Sequence, residues 1–365
     1  MIRILVWHKI LQLSYRLISS VIRIIAVSLL FYFEPKFARD VLLILSSIYL
    51  FQIVSGLEIY LNPKDSRDDH LSKIIYTGLL FLPLTLLYFW INDIELLWGG
   101  FFFIDYILVE ISRKQNVNNE ILDSNKIAIK RALFFFVASI FSFYNKDYFL
   151  LVLIIPTLFE IFLKLSKSGC KISKIPLRLV FKNLSIVAIL ITITNRSIDL
   201  AIRNVNQDYN GFIYEFWDFF LTIFGVSSTI TFYLFIADRA KKVLKNEELV
   251  PLKAYFLQPI IIFVLIFLSL LYFNFIKGSV DLSVEDVKII TEIYIISLIM
   301  ALFQVHNWNL LALRGNGSHN NTIYLAITAL IGLLSALIIS INYLLYMLML
   351  ILLIVTFFGI IKRYK

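Results

Sequence analysis

Long apolar segments, separated by short polar turns, follow one another along almost the whole chain. Each is about 20 residues long, the length at which an α-helix crosses the roughly 30 Å hydrocarbon core of a bilayer. We place twelve segments, at about 10–33, 39–61, 72–91, 94–112, 126–144, 147–164, 176–203, 210–237, 253–276, 285–313, 320–341 and 343–361. The pattern predicts an all-α polytopic membrane protein with about twelve transmembrane helices.

The most basic loop of the chain, from Lys164 to Lys174, falls between the sixth and seventh segments. We therefore expect an N-terminal six-helix half over residues 1–165, a basic cytoplasmic linker over 166–175 and a C-terminal six-helix half over 176–365. The first helix of each half carries a polar stripe and is followed by a short polar turn. This shared pattern supports two six-helix halves around a central cavity.

Two consecutive helices of the second half carry charges at depths where a bilayer makes charge expensive. The first has a largely basic stripe, at steps of three, four and seven, formed by Lys182, Ser185, Thr192, Arg196, Asp199 and Arg203. The next repeats the spacing with acidic and small residues: Glu215, Asp218, Thr222, Gly225 and Thr229. Each set shares one helix face that lipid cannot solvate, which predicts a solvated cavity between the helices.

The first helix of the chain has its own polar stripe, formed by Gln12, Arg16, Ser19, Ser20 and Arg23. Arg23 lies near the middle of the predicted span, where insertion scales give a cost of about 2.5 to 3.5 kcal/mol for a charge. It therefore needs a counter-charge. The sequence leaves two interpretations open, an anionic ligand or an ion pair with Glu58, Asp105 or Glu110.

Composition and charge agree with a membrane protein, since 60% of the 365 residues are hydrophobic and only 16% are charged. The predicted inside segments hold roughly four times as many Lys and Arg residues as the outside loops. This asymmetry places both termini in the cytoplasm and assigns the net charge of +9 to topology and not to nucleic-acid binding. The single cysteine, Cys170, excludes an intrachain disulfide.

Prolines and glycines interrupt several predicted helices. Pro83, Pro156 and Pro259 lie in the third, sixth and ninth segments, where each can kink a helix. The glycines Gly99, Gly100 and Gly225 are expected to permit close helix packing.

The region around residues 195–239 resembles a recurrent region of polysaccharide flippases. It contains Asn195-Arg-Ser-Ile-Asp199, then Asn206, then Gly211-Phe-Ile-Tyr214 and an apolar helix ending at Asp238-Arg239. In that family, the Wzx-type O-antigen translocases of the MATE-like (MOP) superfamily, an Asn/Asp-rich segment ends the first helix of the second half and a Gly-x-x-Tyr motif opens the next. The predicted spans, termini and basic linker are similar to the family over the whole chain.

The resemblance implies a transporter of polysaccharide and lipopolysaccharide biosynthesis in the bacterial cytoplasmic (inner) membrane. Its substrate would be an undecaprenyl-diphosphate-linked oligosaccharide, the repeat unit of an O-antigen or capsule, moved to the outer leaflet by alternating access. A diphosphate and sugar head cannot cross hydrocarbon unaided, and arginines in a polar cavity would replace its hydration. The partners are the lipid-linked oligosaccharide, the bilayer and other polysaccharide-assembly proteins.

Candidate functional residues follow from the polar positions. The substrate-binding candidates are Arg16, Arg23, Lys182, Arg196, Asp199, Gln304 and His306. The candidates for coupling to protons or sodium are Glu215, Asp218 and Glu58. Ion pairs within the stripes, such as Arg196 with Asp199, and helix packing around His306 are the structural alternatives. We expect no cofactor and no metal site, because His306 lacks companions at metal-ligand spacing.

Two other classes of protein compete with this interpretation. A membrane enzyme of polysaccharide assembly, such as an O-antigen polymerase or a glycosyltransferase, typically places catalytic groups on a long outer loop. No outer loop here exceeds about a dozen residues, and nothing resembles a nucleotide-phosphate loop or a Ser/His/Asp set, so we expect no enzyme. A multidrug exporter of the same superfamily would share the fold and differ in cargo.

Overall fold

The structure, a computed structural model, is almost entirely helical, with no strand among the residues it describes. It describes residues 2–56, 70–117, 121–168, 211–231, 249–276 and 284–312, the short pieces 326–331 and 350–352, and the single positions 190, 193, 194, 198, 199, 235, 334 and 354. The all-α prediction is confirmed over this part of the chain.

The long helices of the described ranges coincide with predicted apolar segments. They are α1 (Ile2–Phe33), α2 (Pro35–Gly56), α3 (His70–Ile91), α4 (Leu97–Val117), α5 (Ile121–Ser142), α6 (Lys146–Ser168), α7 (Gly211–Thr231), α8 (Leu252–Ile276) and α9 (Val284–Ala312). Residues 326–331 and 350–352 are helical inside the last two predicted segments. Most of the predicted segment 176–203, and the linker from residue 169 on with Cys170, lie outside the described residues.

The chain forms two compact units, Met1–Thr192 and Ile193–Lys365. The first unit contains α1 to α6, and the second contains α7, α8 and α9. In the first unit α1 packs against α2 and α5, while α4 contacts α2, α3, α5 and α6. In the second unit the three long helices contact one another pairwise.

Short turns with defined capping residues join α1 to α2, α3 to α4 and α5 to α6. Pro35 opens α2, at the position where a helix has no use for the N–H that proline lacks. After α3, Asp93 adopts a positive φ of 54° and Ile94 N donates to Phe89 O, which together close the helix with a Schellman motif. Asn145 caps α6, since its Oδ1 accepts from the backbone N–H of Asp147 at 2.9 Å.

The turns after α1 and α5 lie together, at what we call the turn end of the first unit. The rings of Phe33 and Phe143 are 4.6 Å apart, and Lys146 Nζ lies 3.0 Å from Glu34 Oε2. Farther along the same two helices, Ser19 Oγ donates to Ala128 O at 3.1 Å. The α1 and α5 positions that meet are offset by 109 or 110 residues at both places, so these helices run parallel.

The core of the first unit centres on α4. A cluster of buried residues joins α3, α4, α5 and α6: Ile74, Tyr106, Ile107, Leu108, Ile127 and Ile161. The Tyr106 hydroxyl lies 2.6 Å from Thr77 Oγ1 on α3. A Cβ added at Gly78 would lie 2.8 Å from Tyr106 Cε1, so the small residue is what allows this ring to pack against α3.

The glycines predicted to permit close packing differ from one another. A Cβ added at Gly99 would lie 2.3 Å from Leu86 Cδ2, so Gly99 does allow α3 and α4 to approach. Gly100 and Gly225 face open space, with no atom within 4 Å of an added Cβ, and the packing prediction is wrong for both. Pro83, Pro156 and Pro259 lie inside α3, α6 and α8 as predicted.

Large apolar side chains cover the outside of the described helices, while polar side chains lie within. Exposed apolar residues line outward faces, for example Ile18 and Val21 on α1, Leu84 on α3, Phe159 and Phe162 on α6, and Phe256, Ile260 and Phe263 on α8. Polar side chains that are buried include Gln52, Asp105, Glu110, Asn125 and Glu160. This distribution is the reverse of a soluble protein's and suits helices whose outer surface meets lipid.

Three helices are long and apolar enough to cross a membrane among the residues described: Ser14–Phe33, Ile74–Ile91 and Lys146–Ser166. Shorter apolar stretches occur in α7, α8 and α9. Helix α5 is less apolar because it carries Asp123, Lys126, Lys130 and Arg131. The apolar helices thus support association of the protein with a membrane.

Candidate functional site

The polar stripe of α1 lies on the face that is turned into the first unit. Arg16 and Arg23, seven residues apart, share a helix face with the buried Val27 and are themselves half-buried. The exposed apolar residues Ile18 and Val21 lie on the opposite side of the helix. Both arginines take part in polar interactions within the protein. The stripe is therefore an interior feature, and lipid is excluded from it by the orientation of α1.

Arg23 lies at the same height along the helix bundle as Arg131 of α5. The contact between Ser19 and Ala128 fixes the relative height of these two parallel helices. Arg23 follows Ser19 by four residues and Arg131 follows Ala128 by three, which places their Cα atoms within about 2 Å in height at 1.5 Å per residue. Arg23 is also ten residues, about 15 Å, from Phe33 at the turn end. Both cations thus occupy the middle of the bundle.

Arg131 binds the buried carboxylate of Asp105 on α4 through two hydrogen bonds. Nε donates to Oδ1 at 2.8 Å and Nη2 donates to Oδ2 at 2.6 Å. The Gln52 side chain of α2 also donates from Nε2 to Asp105 Oδ2, at 3.0 Å. The bidentate pairing of a guanidinium with a carboxylate is among the strongest polar contacts a protein makes. Three helices, α2, α4 and α5, are joined at this carboxylate.

Helix α5 makes a second interhelical ion pair one residue earlier, where Lys130 Nζ donates to Glu160 Oε2 of α6. Glu160 is buried, whereas Lys130 lies on the same side of α5 as the exposed residues Leu133 and Val137. The lysine therefore reaches from the outward side to a carboxylate within the bundle, as long basic side chains do at apolar surfaces. Adjacent cations of α5 thus bind carboxylates of two different helices, Glu160 of α6 and Asp105 of α4.

Of the carboxylates weighed as partners for Arg23, Asp105 is held by Arg131 and Gln52. Glu110 is fully buried on α4 and takes part in polar interactions within the protein. Glu58 lies outside the described residues. The cation that pairs with Asp105 is therefore Arg131 of α5, which is not part of the polar stripe of α1.

In the second unit the predicted residue Asp199 is buried against aromatic side chains. Trp217 Nε1 on α7 donates to Asp199 Oδ1 at 2.9 Å, and the Trp217 indole stacks on Phe220 with ring centroids 5.5 Å apart. The carboxylate thus receives a hydrogen bond from a neutral indole. That bond ties Asp199 to the most deeply packed face of α7.

His306 on α9 is also buried, beside Tyr255 of α8. The tyrosine hydroxyl lies 3.2 Å from His306 Nδ1, and Gln258, one helical turn after Tyr255, is buried as well. The pair connects α8 and α9 through a polar contact inside the unit. Gln304 lies on α9 two residues before His306, and its side chain is outside the described part of the structure.

The remaining candidates divide into those that the structure describes and those it does not. Asp218 on α7 is buried, and its backbone carbonyl accepts a hydrogen bond from Thr222 Oγ1 at 3.0 Å. Glu215 begins the same helix, but its side chain is not among those described. Lys182 and Arg196 also lie outside the described residues. The predicted meeting of a basic and an acidic stripe in one cavity thus stays a prediction.

Sequence reasoning missed Arg131, Gln52 and Glu160 as interior polar residues, and Lys130 as the partner of Glu160. The charge asymmetry alone assigns Arg131 and Lys130 to the predicted inside segments, because they lie near the cytoplasmic end of the fifth apolar segment. The available signal was Asp105 in the apolar run Phe101-Phe-Phe-Ile-Asp-Tyr-Ile-Leu108, since a carboxylate in such a helix requires a cation at the same depth.

Comparison with known proteins adds no assignment: no family model, curated protein or solved structure matches the chain. Within the described ranges, no group of three or more His, Cys, Asp and Glu side chains is arranged to hold a metal ion. The described chemistry therefore consists of cations, carboxylates and amides held within apolar helices.

Proposed function

We propose that this protein moves an undecaprenyl-diphosphate-linked oligosaccharide, an O-antigen or capsule repeat unit, across the bacterial cytoplasmic membrane. The observation that carries the proposal is the interior position of Arg16 and Arg23 on a helix with an apolar outward face. Charges at this depth are costly in lipid and occur mainly where they serve a substrate, an ion or a partner charge. The resemblance to polysaccharide flippases implies that the substrate anion is a diphosphate.

The proposed architecture has twelve spans in two six-helix halves around a central cavity, with both termini in the cytoplasm. Its support is the up-and-down arrangement of α1, α2, α5 and α6, whose short turns meet at one end of the first unit. The outward apolar faces of these helices also favour lipid surroundings. Alternating access would open the cavity first to one side of the membrane and then to the other.

In this proposal Arg16 and Arg23 bind the diphosphate, because guanidinium groups hold phosphate oxygens through paired hydrogen bonds. Lys182 and Arg196 extend the basic surface, and Asp199, Gln304 and His306 contact the sugar. Glu215, Asp218 and Glu58 serve coupling to protons or sodium. The bonds of Asp199 to Trp217 and of His306 to Tyr255 belong to the described conformation and would exchange for substrate contacts.

The direct test is reconstitution of the full chain into vesicles that contain a fluorescent polyprenyl-diphosphate-linked oligosaccharide in both leaflets. A flippase makes the inner-leaflet pool accessible to an impermeant quencher, and Arg23→Ala should abolish this while Arg23→Lys retains part of it. Lys146→Gln, which alters an exposed cation at the turn end, is the matched control and should transport normally.

Normal transport by a well-folded Arg23→Ala protein would remove Arg23 from the binding site. Absence of any transport by the wild-type protein would refute the function itself. Export of cationic drugs, or elongation of the oligosaccharide in the same vesicles, would favour the multidrug exporter or the polymerase instead.

Topology is tested through the single cysteine of the chain. Cys170 lies in the loop predicted to be cytoplasmic, so an impermeant maleimide should label it in inverted membrane vesicles and not in intact cells. Labelling from outside intact cells would contradict the proposed orientation. A cysteine introduced at Ser279, in a predicted outer loop, of a Cys170→Ser protein should give the opposite result.

A further inference from the structure

The ion pair between Asp105 and Arg131 has the geometry of an occupied anion site. Two nearly parallel hydrogen bonds, of 2.8 and 2.6 Å, bind one edge of the guanidinium to both carboxylate oxygens. Guanidinium groups bind two oxygens of a phosphate in the same forked arrangement. The Asp105 carboxylate therefore occupies the position beside Arg131 that a phosphate group would occupy.

The two members of the pair differ in exposure. The Asp105 side chain is 2% exposed, whereas 29% of the Arg131 side chain is exposed. On α5 the outward strip contains Leu133 and Val137, and Arg131 projects more than 100° away from it around the helix. Its exposed part therefore does not face the apolar outer surface. The exposed part of the guanidinium is where an incoming anion would first meet Arg131.

The surroundings of Arg131 favour an anion. Arg23 lies at the same height on α1, a helix that packs directly against α5. This second guanidinium would reach the same anion once its own interaction within the fold is exchanged. Two arginines on touching helices suit a ligand with two phosphate groups better than one with a single charge.

Displacement of Asp105 has a consequence for protons. Once Arg131 turned to another anion, the buried Asp105 carboxylate would keep only the hydrogen bond from Gln52, and burial disfavours a charge that lacks a partner. The carboxylate would then take up one proton from water and become a neutral acid. The proton offsets one of the negative charges that the diphosphate brings, and the rest must be met by cations near the site.

Other titratable groups around Asp105 already have partners in the fold. Lys130 of α5 binds Glu160 of α6, and Tyr49 of α2 also has an interaction within the fold. On its own helix, α4, Glu110 is buried in polar interactions, and the described side chains of α3 include no charge. Asp105 is therefore the carboxylate whose charge depends on what Arg131 binds.

We propose that the Asp105–Arg131 pair is an exchangeable anion site, at which a diphosphate group displaces the Asp105 carboxylate and Asp105 takes up a proton. The choice of diphosphate rests on the proposed function. The ligand could be a lipid-linked diphosphate within the membrane or a free diphosphate in solution, since both offer the same oxygens to Arg131.

The test measures binding of inorganic pyrophosphate to the purified full chain by calorimetry, at pH 6 and pH 8 and in two buffers with different ionisation enthalpies. Asp105→Asn removes the competing charge while it keeps the side-chain size. It should bind pyrophosphate at least about tenfold more tightly than wild type at pH 8, with a smaller advantage at pH 6, where wild-type Asp105 accepts its proton more readily. Protonation of pyrophosphate itself is common to both proteins, so the difference between them reports Asp105.

The double variant Asp105→Asn/Arg131→Gln replaces the ion pair with a neutral hydrogen-bonding pair. Its affinity for pyrophosphate should be at least about tenfold lower than that of wild type. It guards against the case in which Asp105→Asn alone fails to fold. Lys130→Gln/Glu160→Gln is the matched control, since it removes the neighbouring ion pair of α5, and its pyrophosphate affinity should equal that of wild type. Melting temperatures confirm that each variant is folded.

Equal affinity and equal pH dependence in wild type and Asp105→Asn would overturn the proposal, as would wild-type binding by the double variant. Titration with nanodiscs that contain polyprenyl diphosphate distinguishes the sources, and binding of either ligand through Arg131 supports the site. Absence of binding by both ligands overturns it. Pyrophosphate binding without oligosaccharide transport would support the anion site and refute the proposed function. Normal transport by a folded double variant, with pyrophosphate affinity equal to that of wild type, would refute the anion site and leave the proposed function in place.

Discussion

In the first unit the buried carboxylates Asp105 and Glu160 each bind a cation from a neighbouring helix, whereas in the second unit Asp199 accepts a hydrogen bond from the neutral indole of Trp217. His306 of the second unit likewise meets a neutral partner, the Tyr255 hydroxyl. These described contacts join helices of the first unit through opposite charges, whereas those of the second unit pair a carboxylate or a histidine with an aromatic side chain that has a polar end.

This difference predicts different sensitivities to mutation. When one member of a buried ion pair is removed, the other keeps a full charge in an apolar environment. When a neutral donor is removed, the acceptor loses one hydrogen bond, and the cost is that of a single charge-assisted bond. The first unit should therefore be damaged more by single substitutions and be rescued better by compensating ones.

The largest effect is expected for Arg131→Ala, which leaves Asp105 buried without its bidentate partner. We expect a loss of about 3 to 5 kcal/mol in the free energy of unfolding, measured by titration of the detergent-solubilised protein with SDS. Replacement of both members by apolar residues, Arg131→Met with Asp105→Leu, should recover most of this loss. An equal loss in the single and double variants would show that the pair contributes packing and not charge compensation.

A smaller effect is expected in the second unit for Trp217→Phe, which removes the donor to Asp199 but keeps an aromatic ring. Trp98→Phe in the first unit is the matched control, because Trp98 is also buried but packs against the rings of Phe101 and Phe149. Trp217→Phe should cost about 1.5 to 3 kcal/mol more than the control, the range for a hydrogen bond to a charged group. Equal losses in the same SDS titration would mean that the bond to Asp199 adds nothing.

The sequence predicted where helices lie but not where they end. Helix α1 begins at Ile2, although the predicted span begins at about residue 10, and α4 continues to Val117 through Arg113, Lys114 and Gln115. The apolar pattern marks the stretch that matches the thickness of a bilayer, whereas helix geometry continues wherever residues favour it. Span predictions therefore follow hydrophobicity and underestimate the helices.

The sequence placed the polar stripe of α1 correctly on one face, because helical periodicity alone determines which residues share a face. It did not identify the partner of Asp105, because that depends on which helices pack and at what relative height. The offset of α1 and α5 by 109 residues is a property of the folded bundle and is not encoded in any local pattern. The same reason explains the wrong packing prediction for Gly100, since only the packed structure shows that Gly99 contacts a neighbouring helix and Gly100 does not.

Packing offers a further contrast between the units through glycine. Gly78→Ala in the first unit would bring a Cβ to within 2.8 Å of the fully buried Tyr106 ring, while Gly225→Ala in the second meets no atom within 4 Å. Overpacking costs about 1 to 3 kcal/mol, and a helical Gly→Ala change returns up to about 1 kcal/mol. We expect a net loss of about 1 kcal/mol at position 78 and a gain of up to about 1 kcal/mol at position 225. A melting temperature that falls in both variants would contradict the open space around Gly225.

The smallest effect is expected where the first unit pairs charges at its surface. Lys146 and Glu34 lie 3.0 Å apart at the turn end, with side chains that are about half exposed, and Lys146 also lies over the Phe37 ring at 5.8 Å from its centroid. Water screens this pair, and two flexible side chains lose entropy to form it, so Lys146→Gln should change the free energy of unfolding by no more than about 1 kcal/mol. The difference should shrink further as salt is raised from 0.05 to about 0.5 M, since exposed charges are screened over a few ångströms at high ionic strength.

Arg131→Ala, measured in parallel, should keep its full cost at both salt concentrations because its partner is buried. If Lys146→Gln proved as costly as Arg131→Ala, charge pairing itself, and not burial, would account for the sensitivity of the first unit, and the contrast with the second unit would lose its physical basis.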